Sequence, residues 1–285
     1  MPKILKNKME RGKKLNMTSI IIYGLIFVIG TLFGSFFTLA VYRMPLGENI
    51  VYKHSFCPNC KEKLKFKDLI PILSFLGLRG KCAYCGEKIR IRYFLLEILS
   101  GIVFLLFALI FNAGVIITNT NMMIYFLLYI LYIASLFIIA GIDKENISIQ
   151  RSVLVFGLIL SFCYMTYVYI LTAGTIYTYI IYLVLMILIL IADVLFLKKH
   201  MHYSYTIEIL GLCLYMIIFS GTTIAYLTVI LTLGLIAMQI LVMEIKERAK
   251  KEVTIKVKED LKIPVGFYLS VSNILLLLVC NFLFS

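Results

Sequence analysis

The sequence predicts an all-α polytopic membrane protein with about eight transmembrane helices. Apolar residues make up 62% of the chain and charged residues only 15%, which is far outside the range of water-soluble globular domains. Apolar runs of about 20 residues, the length that crosses the hydrocarbon core of a bilayer, recur from one end of the chain to the other. This composition excludes a soluble enzyme or a soluble binding module.

Eight apolar segments can be delimited in the sequence. They cover residues 18–41, 93–111, 122–142, 153–171, 177–197, 205–219, 222–243 and 265–284. The boundary between the sixth and seventh segments rests only on the polar patch Ser220–Thr223. The first segment is longer than a signal-peptide core and has no small-residue cleavage site before Tyr42. We therefore interpret it as a membrane helix that follows a basic tail, residues 1–17.

The positive charges predict how the chain is oriented in the membrane. All 28 Lys and Arg residues lie before residue 18 or in four stretches, namely 43–92, 143–151, 198–199 and 244–264. The alternate loops carry none. Because Lys and Arg are retained on the cytoplasmic side of short loops, we expect these four stretches to face the cytoplasm. The basic tail before residue 18 is the exception to this orientation.

The cysteines of the loop 42–92 form a metal-ligand pattern. Cys57-Pro58-Asn59-Cys60 and Cys82-Ala83-Tyr84-Cys85 are two CxxC pairs with 21 residues between them. Each pair makes a tight turn that directs two thiolates to one ion, and two such pairs complete the tetrahedral coordination of zinc. Two disulfides are the alternative, but basic residues place the loop in the cytoplasm, where thiols stay reduced. We expect residues 42–92 to form a small cytoplasmic zinc-binding domain and residues 93–285 to form a membrane domain with seven further helices.

Acidic side chains at membrane depth are few, and they are usually kept for a purpose because they are costly there. They are Glu97, Asp143, Asp193 and Glu208. Asp143 and Asp193 end two different predicted helices at the same level, which suggests a paired-carboxylate site. Two close carboxyl groups do not both ionise, so one serves as general acid and the other as general base that activates water against a peptide carbonyl. The alternative is that each aspartate pairs with a cation at the interface, such as Lys144.

Several motifs resemble the amino-terminal region of bacterial type IV prepilin peptidases. One is Gly34–Pro45 (GSFFTLAVYRMP). Another is the stretch from Cys57 to Cys85 that carries both CxxC pairs, here called the cysteine cassette, with Ile70–Ser74 (IPILS) and Leu78–Cys82 (LRGKC) inside it. The last is Arg92-Tyr93 followed by Glu97. Further along the chain, Asp143, Asp193 and Lys262–Gly266 (KIPVG) fall in the order and spacing of that family.

The resemblance implies an enzyme of the aspartic GxGD class in the bacterial inner membrane. Such an enzyme removes the basic leader of a prepilin or pseudopilin on the cytoplasmic side, then methylates the new N-terminus from S-adenosylmethionine. It implies that Asp143 and Asp193 are the catalytic pair, and that the zinc ligands are Cys57, Cys60, Cys82 and Cys85. The expected partners are such substrates and the lipid bilayer. Nucleic acid is not expected, because 19 Tyr and 20 Phe without any Trp are typical of membrane helices.

The chain also departs from the family pattern near both aspartates. Leu190-Ile191-Ala192-Asp193 stands where the family has GxGD, and Ile149-Gln150-Arg151 stands where it has Ile-Pro-Asp. Two alternatives therefore remain. One is a degenerate family member without proteolysis. The other is a non-enzymatic zinc-knuckle membrane protein or transporter, in which the carboxylates serve ions or helix packing.

Overall fold

The computed structural model describes residues 17–50, 52, 54–172, 176–196, 201–249 and 263–283. The basic tail before Met17 and the charged stretch 250–262 lie outside these residues. Within them the chain forms nine α-helices and one 3₁₀ turn, Phe66–Leu69. The helices are α1 (Met17–Arg43), α2 (Leu73–Gly77), α3 (Ile91–Phe111), α4 (Ala113–Thr118), α5 (Thr120–Asn146), α6 (Arg151–Thr172), α7 (Ile176–Phe196), α8 (Met201–Ala249) and α9 (Val265–Leu283).

Six helices of the described chain are long and apolar enough to cross a membrane. They are Met17–Arg43, Ile91–Phe111, Thr120–Asn146, Arg151–Leu171, Tyr205–Ile245 and Val265–Leu283, and Tyr177–Ala192 is a shorter apolar helix. Extended pairing among the described residues is confined to two isolated bridges, Phe56 with Lys63 and Lys81 with Lys88. The prediction of an all-α polytopic membrane protein is therefore confirmed. Each of the eight predicted segments coincides with helix over the residues that the structure describes.

The sixth and seventh predicted segments both lie in α8, which is interrupted at Gly221. This glycine has φ 80° and ψ 163°, which is not a helical conformation. Glycine adopts such a positive φ without the steric cost that a Cβ would add. The break falls inside the polar patch at which the sequence predicted a boundary.

The first half of α8 runs alongside α9 in the same direction. At its start, the Tyr205 hydroxyl accepts a hydrogen bond from the backbone N–H of Val265, at 2.9 Å. Near its end, the Ser220 hydroxyl accepts one from the Asn273 amide, at 3.3 Å. Residues further along this half therefore contact residues further along α9, which means that the two helices are parallel.

The second half of α8 returns along α9. Thr228 accepts a hydrogen bond from Asn273 at 3.1 Å, and Gln239 accepts one from the hydroxyl of Tyr268. A straight continuation would carry Gln239 about 16 Å further in the original direction, at 1.5 Å per residue. Instead it meets a residue earlier in α9, so the chain reverses at Gly221. The two predicted helices form a hairpin.

The chain divides into two compact units, Met1–Ile130 with Asn281–Ser285 and Leu131–Cys280. In the first unit, α1 and α3 pack closely through small residues. The Ser100 hydroxyl donates a hydrogen bond to the carbonyl oxygen of Gly30, at 2.8 Å. A Cβ on Gly30 would lie 2.8 Å from the Cα of Gly101, and a Cβ on Gly34 would lie 2.7 Å from the Cα of Glu97. Close backbone approach of this kind drives helix association in lipid, where burial of apolar surface gives no advantage.

In the second unit, the fully buried Asn273 joins α5, α8 and α9. Its carbonyl oxygen accepts a hydrogen bond from the Tyr132 hydroxyl at 2.7 Å, and its amide group donates to Ser220 and Thr228. The ring of Tyr132 also stacks on Phe219, with centroids 4.4 Å apart. Such polar contacts hold membrane helices together, each contributing roughly 0.5–2 kcal/mol.

Substitution of Gly34 by Ala tests the contact between α1 and α3. The added Cβ would overlap Ser100 and Glu97, so we expect a loss of stability of about 1–3 kcal/mol, the usual cost of overpacking. Thermal unfolding of the detergent-solubilised protein measures it. Gly24→Ala, on the same helix, is the matched control, because a Cβ there meets nothing within 4 Å. Equal melting temperatures for the two variants would contradict the contact.

Candidate metal centre and buried carboxylate site

The four cassette cysteines come together in the first unit. Their sulfur atoms all lie within 4.8 Å of one another, and the sulfurs of Cys57 and Cys85 are 3.9 Å apart. Four sulfurs around a tetrahedral zinc are about 3.8 Å apart, given Zn–S bonds of about 2.3 Å. All four cysteines are free thiols. The donor set and its spacing therefore fit one zinc ion.

The first knuckle, the tight turn that carries Cys57 and Cys60, is closed by backbone hydrogen bonds. The N–H of Cys57 donates to the carbonyl of Glu62 at 3.0 Å, and the N–H of Lys61 donates to the carbonyl of Cys57 at 2.9 Å. A bridge between Phe56 and Lys63 flanks the turn. Lys61 follows the second cysteine and has φ 60°, a left-handed conformation that disfavours side chains other than glycine.

The second knuckle repeats this geometry. The N–H of Cys82 donates to the carbonyl of Glu87 at 2.8 Å, and the N–H of Gly86 donates to the carbonyl of Cys82 at 3.0 Å. Gly86 occupies the position of Lys61 and has φ 72°. The sequence thus supplies glycine at this turn in one knuckle and lysine in the other.

The second knuckle also favours the thiolate form of one ligand. Backbone N–H groups of Cys85 and Tyr84 hydrogen-bond to the sulfur of Cys82 and lower the pKa of its thiol to about 7. These hydrogen bonds therefore favour the thiolate of Cys82, which is the form that binds metal.

Two contacts tie the cassette to the membrane helices of the first unit. The backbone N–H of Ile72 donates to the carboxylate of Glu97 on α3, at 2.8 Å. The buried guanidinium of Arg43, at the end of α1, donates to the carbonyl of His54 at 3.0 Å. Neither contact follows from the cysteine spacing, although the motifs quoted above contain both Arg43 and Glu97.

Asp143, near the end of α5, is fully buried in the second unit. One carboxylate oxygen accepts a hydrogen bond from the Tyr205 hydroxyl, at 2.8 Å. The other accepts one from the backbone N–H of Phe267 in the first turn of α9, also at 2.8 Å. A Cβ on Gly266 would lie 3.1 Å from the same oxygen, so the absence of a side chain there lets the carboxylate approach the helix end.

Tyr205 is a site residue that sequence reasoning missed. Its hydroxyl donates to Asp143 and also accepts the N–H of Val265 at 2.9 Å. It therefore links α5, α8 and α9 at one point. Nothing in the sequence distinguishes it from the other 18 tyrosines, because its role depends on how three distant segments pack.

Asp193 lies on α7, three residues before the end of that helix. Its side chain lies outside the described part of the chain, as do Lys198 and Lys199. The pairing of Asp143 with Asp193 therefore stays a prediction. Glu208, the other acidic residue of the second unit noted in the sequence, is buried and accepts the backbone N–H of Ile149 at 3.2 Å.

Comparison with known proteins finds similarity to one family within residues 28–111. Residues 28–111 match the model of the Bacterial Peptidase A24 N-terminal domain. A relative from Klebsiella pneumoniae is 40% identical over 96 residues, which cover 32% of this chain and 42% of the relative. One from Myxococcus xanthus is 43% identical over 79 residues, 28% of this chain and 24% of the relative. One from Bacillus subtilis is 40% identical over 80 residues, 28% of this chain and 32% of the relative.

All three relatives are named prepilin leader peptidase/N-methyltransferase. The matched region spans less than half the length of each of them. No solved structure matches this chain.

The helices and the four-cysteine loop define a multi-pass membrane protein with a cysteine cluster that could hold a metal ion. The matches confirm that the amino-terminal region resembles that of type IV prepilin peptidases, as the sequence motifs indicated. The six apolar helices support a multi-pass location in a membrane.

Replacing Lys61 by Gly tests the left-handed turn of the first knuckle. Relief of the strain at φ 60° is expected to stabilise the loop by about 1 kcal/mol, partly offset by the loss of the Lys61 ammonium over the Phe56 ring. Gly86→Ala is the matched variant and should destabilise the loop. The midpoint of metal loss during chelator titration measures both. Shifts of the same sign would contradict the interpretation.

Proposed function

We propose that this chain is a membrane aspartic endopeptidase that removes the leader peptide of type IV prepilins or pseudopilins, and that it also N-methylates the new N-terminus. The family match and the names of the relatives support this activity. The observation that carries the proposal is the fully buried Asp143 carboxylate on a membrane helix, because it lies outside the region on which the match depends.

The proposed chemistry uses Asp143 and Asp193 as general acid and general base. One carboxylate takes a proton from water as the water oxygen bonds to the peptide carbonyl carbon. The other carboxyl group donates its proton to the carbonyl oxygen. The C–N bond then breaks as the leaving nitrogen takes the proton that the first carboxylate took from water, and the second carboxylate recovers a proton from the intermediate. Hydrogen bonds from Tyr205 and Phe267 hold Asp143 in one orientation. A fixed orientation is what proton transfer at a defined atom requires.

We propose that Cys57, Cys60, Cys82 and Cys85 hold zinc. When bound, zinc supplies thiolate bonds that join the two knuckles and hold the cassette folded. Methyl transfer would use S-adenosylmethionine, and the cytoplasmic side is the expected location of both chemistries.

A degenerate family member without proteolysis is the second candidate. Two observations favour it: Leu190 and Ala192 replace the glycines of the family motif, and both oxygens of Asp143 already accept hydrogen bonds that join three helices. In this reading Asp143 is structural. Substrate would then be bound without being cleaved.

Asp143→Asn and Asp193→Asn test the catalytic pair. Each change removes a group that transfers a proton, so we expect cleavage of a prepilin with a basic leader to fall by at least about 100-fold. Cleavage by the purified, reconstituted protein is followed by mass spectrometry of the new N-terminus. Glu145→Gln, an exposed acidic residue near Asp143, is the control and should keep activity.

Full activity in both aspartate variants would contradict the proposal. Binding of the substrate by the parent without any cleavage would favour the degenerate member instead. Melting temperatures of the variants separate a lost catalytic group from a lost contact between helices.

Cys82→Ser tests the metal centre. Loss of one thiolate should reduce the zinc content and expose the loop 42–92 to protease, because the metal joins the two knuckles. Zinc is measured by elemental mass spectrometry of the purified protein. Cys163→Ser, on an exposed face of α6, should leave both properties unchanged. Equal zinc content in the two variants would overturn the assignment of Cys82 as a ligand.

A further inference from the structure

We propose that the segment Phe66–Leu78, between the two knuckles, is a membrane-interface segment that inserts apolar side chains among the lipids around α3. We call it the inter-knuckle segment. Its partner is the boundary between lipid headgroups and acyl chains. This proposal does not depend on the proposed catalytic activity.

The inter-knuckle segment exposes several large apolar side chains outside the membrane helices. The exposed fractions are 85% for Phe66, 66% for Leu73 and 57% for Leu76. Leu69 and Ile70 are exposed as well. Clusters of exposed apolar side chains in a short segment mark a surface that contacts a protein or a membrane.

Contacts with α3 place this segment at membrane depth. The ring of Phe75 stacks on Phe94, with centroids 4.8 Å apart, and the N–H of Ile72 donates to Glu97. Glu97 is six residues after the start of α3, or about 9 Å along its axis. Since α3 has 21 residues, about the number that spans the hydrocarbon core, its first two turns lie at one boundary of that core. The inter-knuckle segment lies beside them.

Backbone hydrogen bonding in the segment suits a site with little water. The N–H groups of Ser74, Leu76 and Leu78 donate to carbonyl oxygens within the segment. Ile72 has φ 63° and is the residue that caps the start of α2, so its N–H has no partner in the helix. Glu97 accepts this N–H. Non-helical backbone at membrane depth persists only where such groups are satisfied by protein, so we assign Glu97 as the residue that positions the segment.

Basic residues flank the segment on both sides. Lys65 precedes it and Lys67 is its second residue, Arg79 and Lys81 follow its end, and all four are exposed. Apolar side chains bordered by Lys and Arg are typical of segments that lie in the interface of a membrane with anionic lipids. The charge pattern therefore favours lipid over a second apolar protein surface as the occupant.

The absence of tryptophan from the chain allows a direct test. Leu73→Trp introduces a single fluorescent reporter into the inter-knuckle segment. The full-length variant is reconstituted, zinc-loaded, into nanodiscs of phosphatidylcholine and phosphatidylglycerol. We expect blue-shifted emission and a loss of intensity with lipids brominated near the glycerol backbone, and a smaller loss with lipids brominated near the chain ends. Glu87→Trp, exposed on the second knuckle, is the control and should be unquenched.

Two outcomes would overturn the insertion of this segment. Water-like, unquenched emission from Leu73→Trp would show that it stays in solvent. Blue-shifted but unquenched emission would show that protein, such as a second copy of the chain, covers it.

A second pair of variants tests Glu97 in the Leu73→Trp background. Glu97→Gln keeps an oxygen that accepts the N–H of Ile72 and should keep the quenching. Glu97→Ala leaves that N–H without a partner and should lose the quenching at unchanged zinc content. Full quenching in Glu97→Ala would overturn the positioning role of Glu97.

Discussion

Every acidic side chain that the structure describes at membrane depth accepts a hydrogen bond from a backbone N–H group. Glu97 accepts the N–H of Ile72, Asp143 that of Phe267, and Glu208 that of Ile149. In each case the donor belongs to a connection or to the first turn of a helix, where the N–H has no partner within the helix. Because the bilayer core offers no water to such groups, the carboxylates permit the chain to leave helical conformation inside the membrane.

This constraint bears on how Asp143 should be interpreted. Its hydrogen bonds to Tyr205 and to the start of α9 serve the packing of three helices, and the same bonds fix the orientation that a catalytic carboxyl group needs. Structural and catalytic roles therefore predict the same geometry for Asp143. Only a measurement of substrate cleavage distinguishes the two roles. Both candidate functions therefore rest on the same site.

The sequence predicted the helices and the cysteine cluster because each depends on local rules. An apolar run of sufficient length must span the membrane as helix, and two CxxC pairs direct four sulfurs to one point. The reversal at Gly221 was visible as a polar patch. The roles of Tyr205, Glu97 and Ile72 could not be predicted, because they arise from contacts between residues far apart in sequence, and single-sequence patterns carry no information about those distances. The pairing of Asp143 with Asp193 stays a prediction, because the side chain of Asp193 lies outside the described residues.

The position of Asn273 has a consequence for the order of assembly during synthesis. Tyr132, Ser220 and Thr228 all share hydrogen bonds with this one residue, and α9 leaves the ribosome after the segments that carry them. Until α9 enters the membrane, these earlier hydroxyl groups lack the amide that joins them. The buried polar network around Asn273 is therefore completed only when α9 enters the membrane.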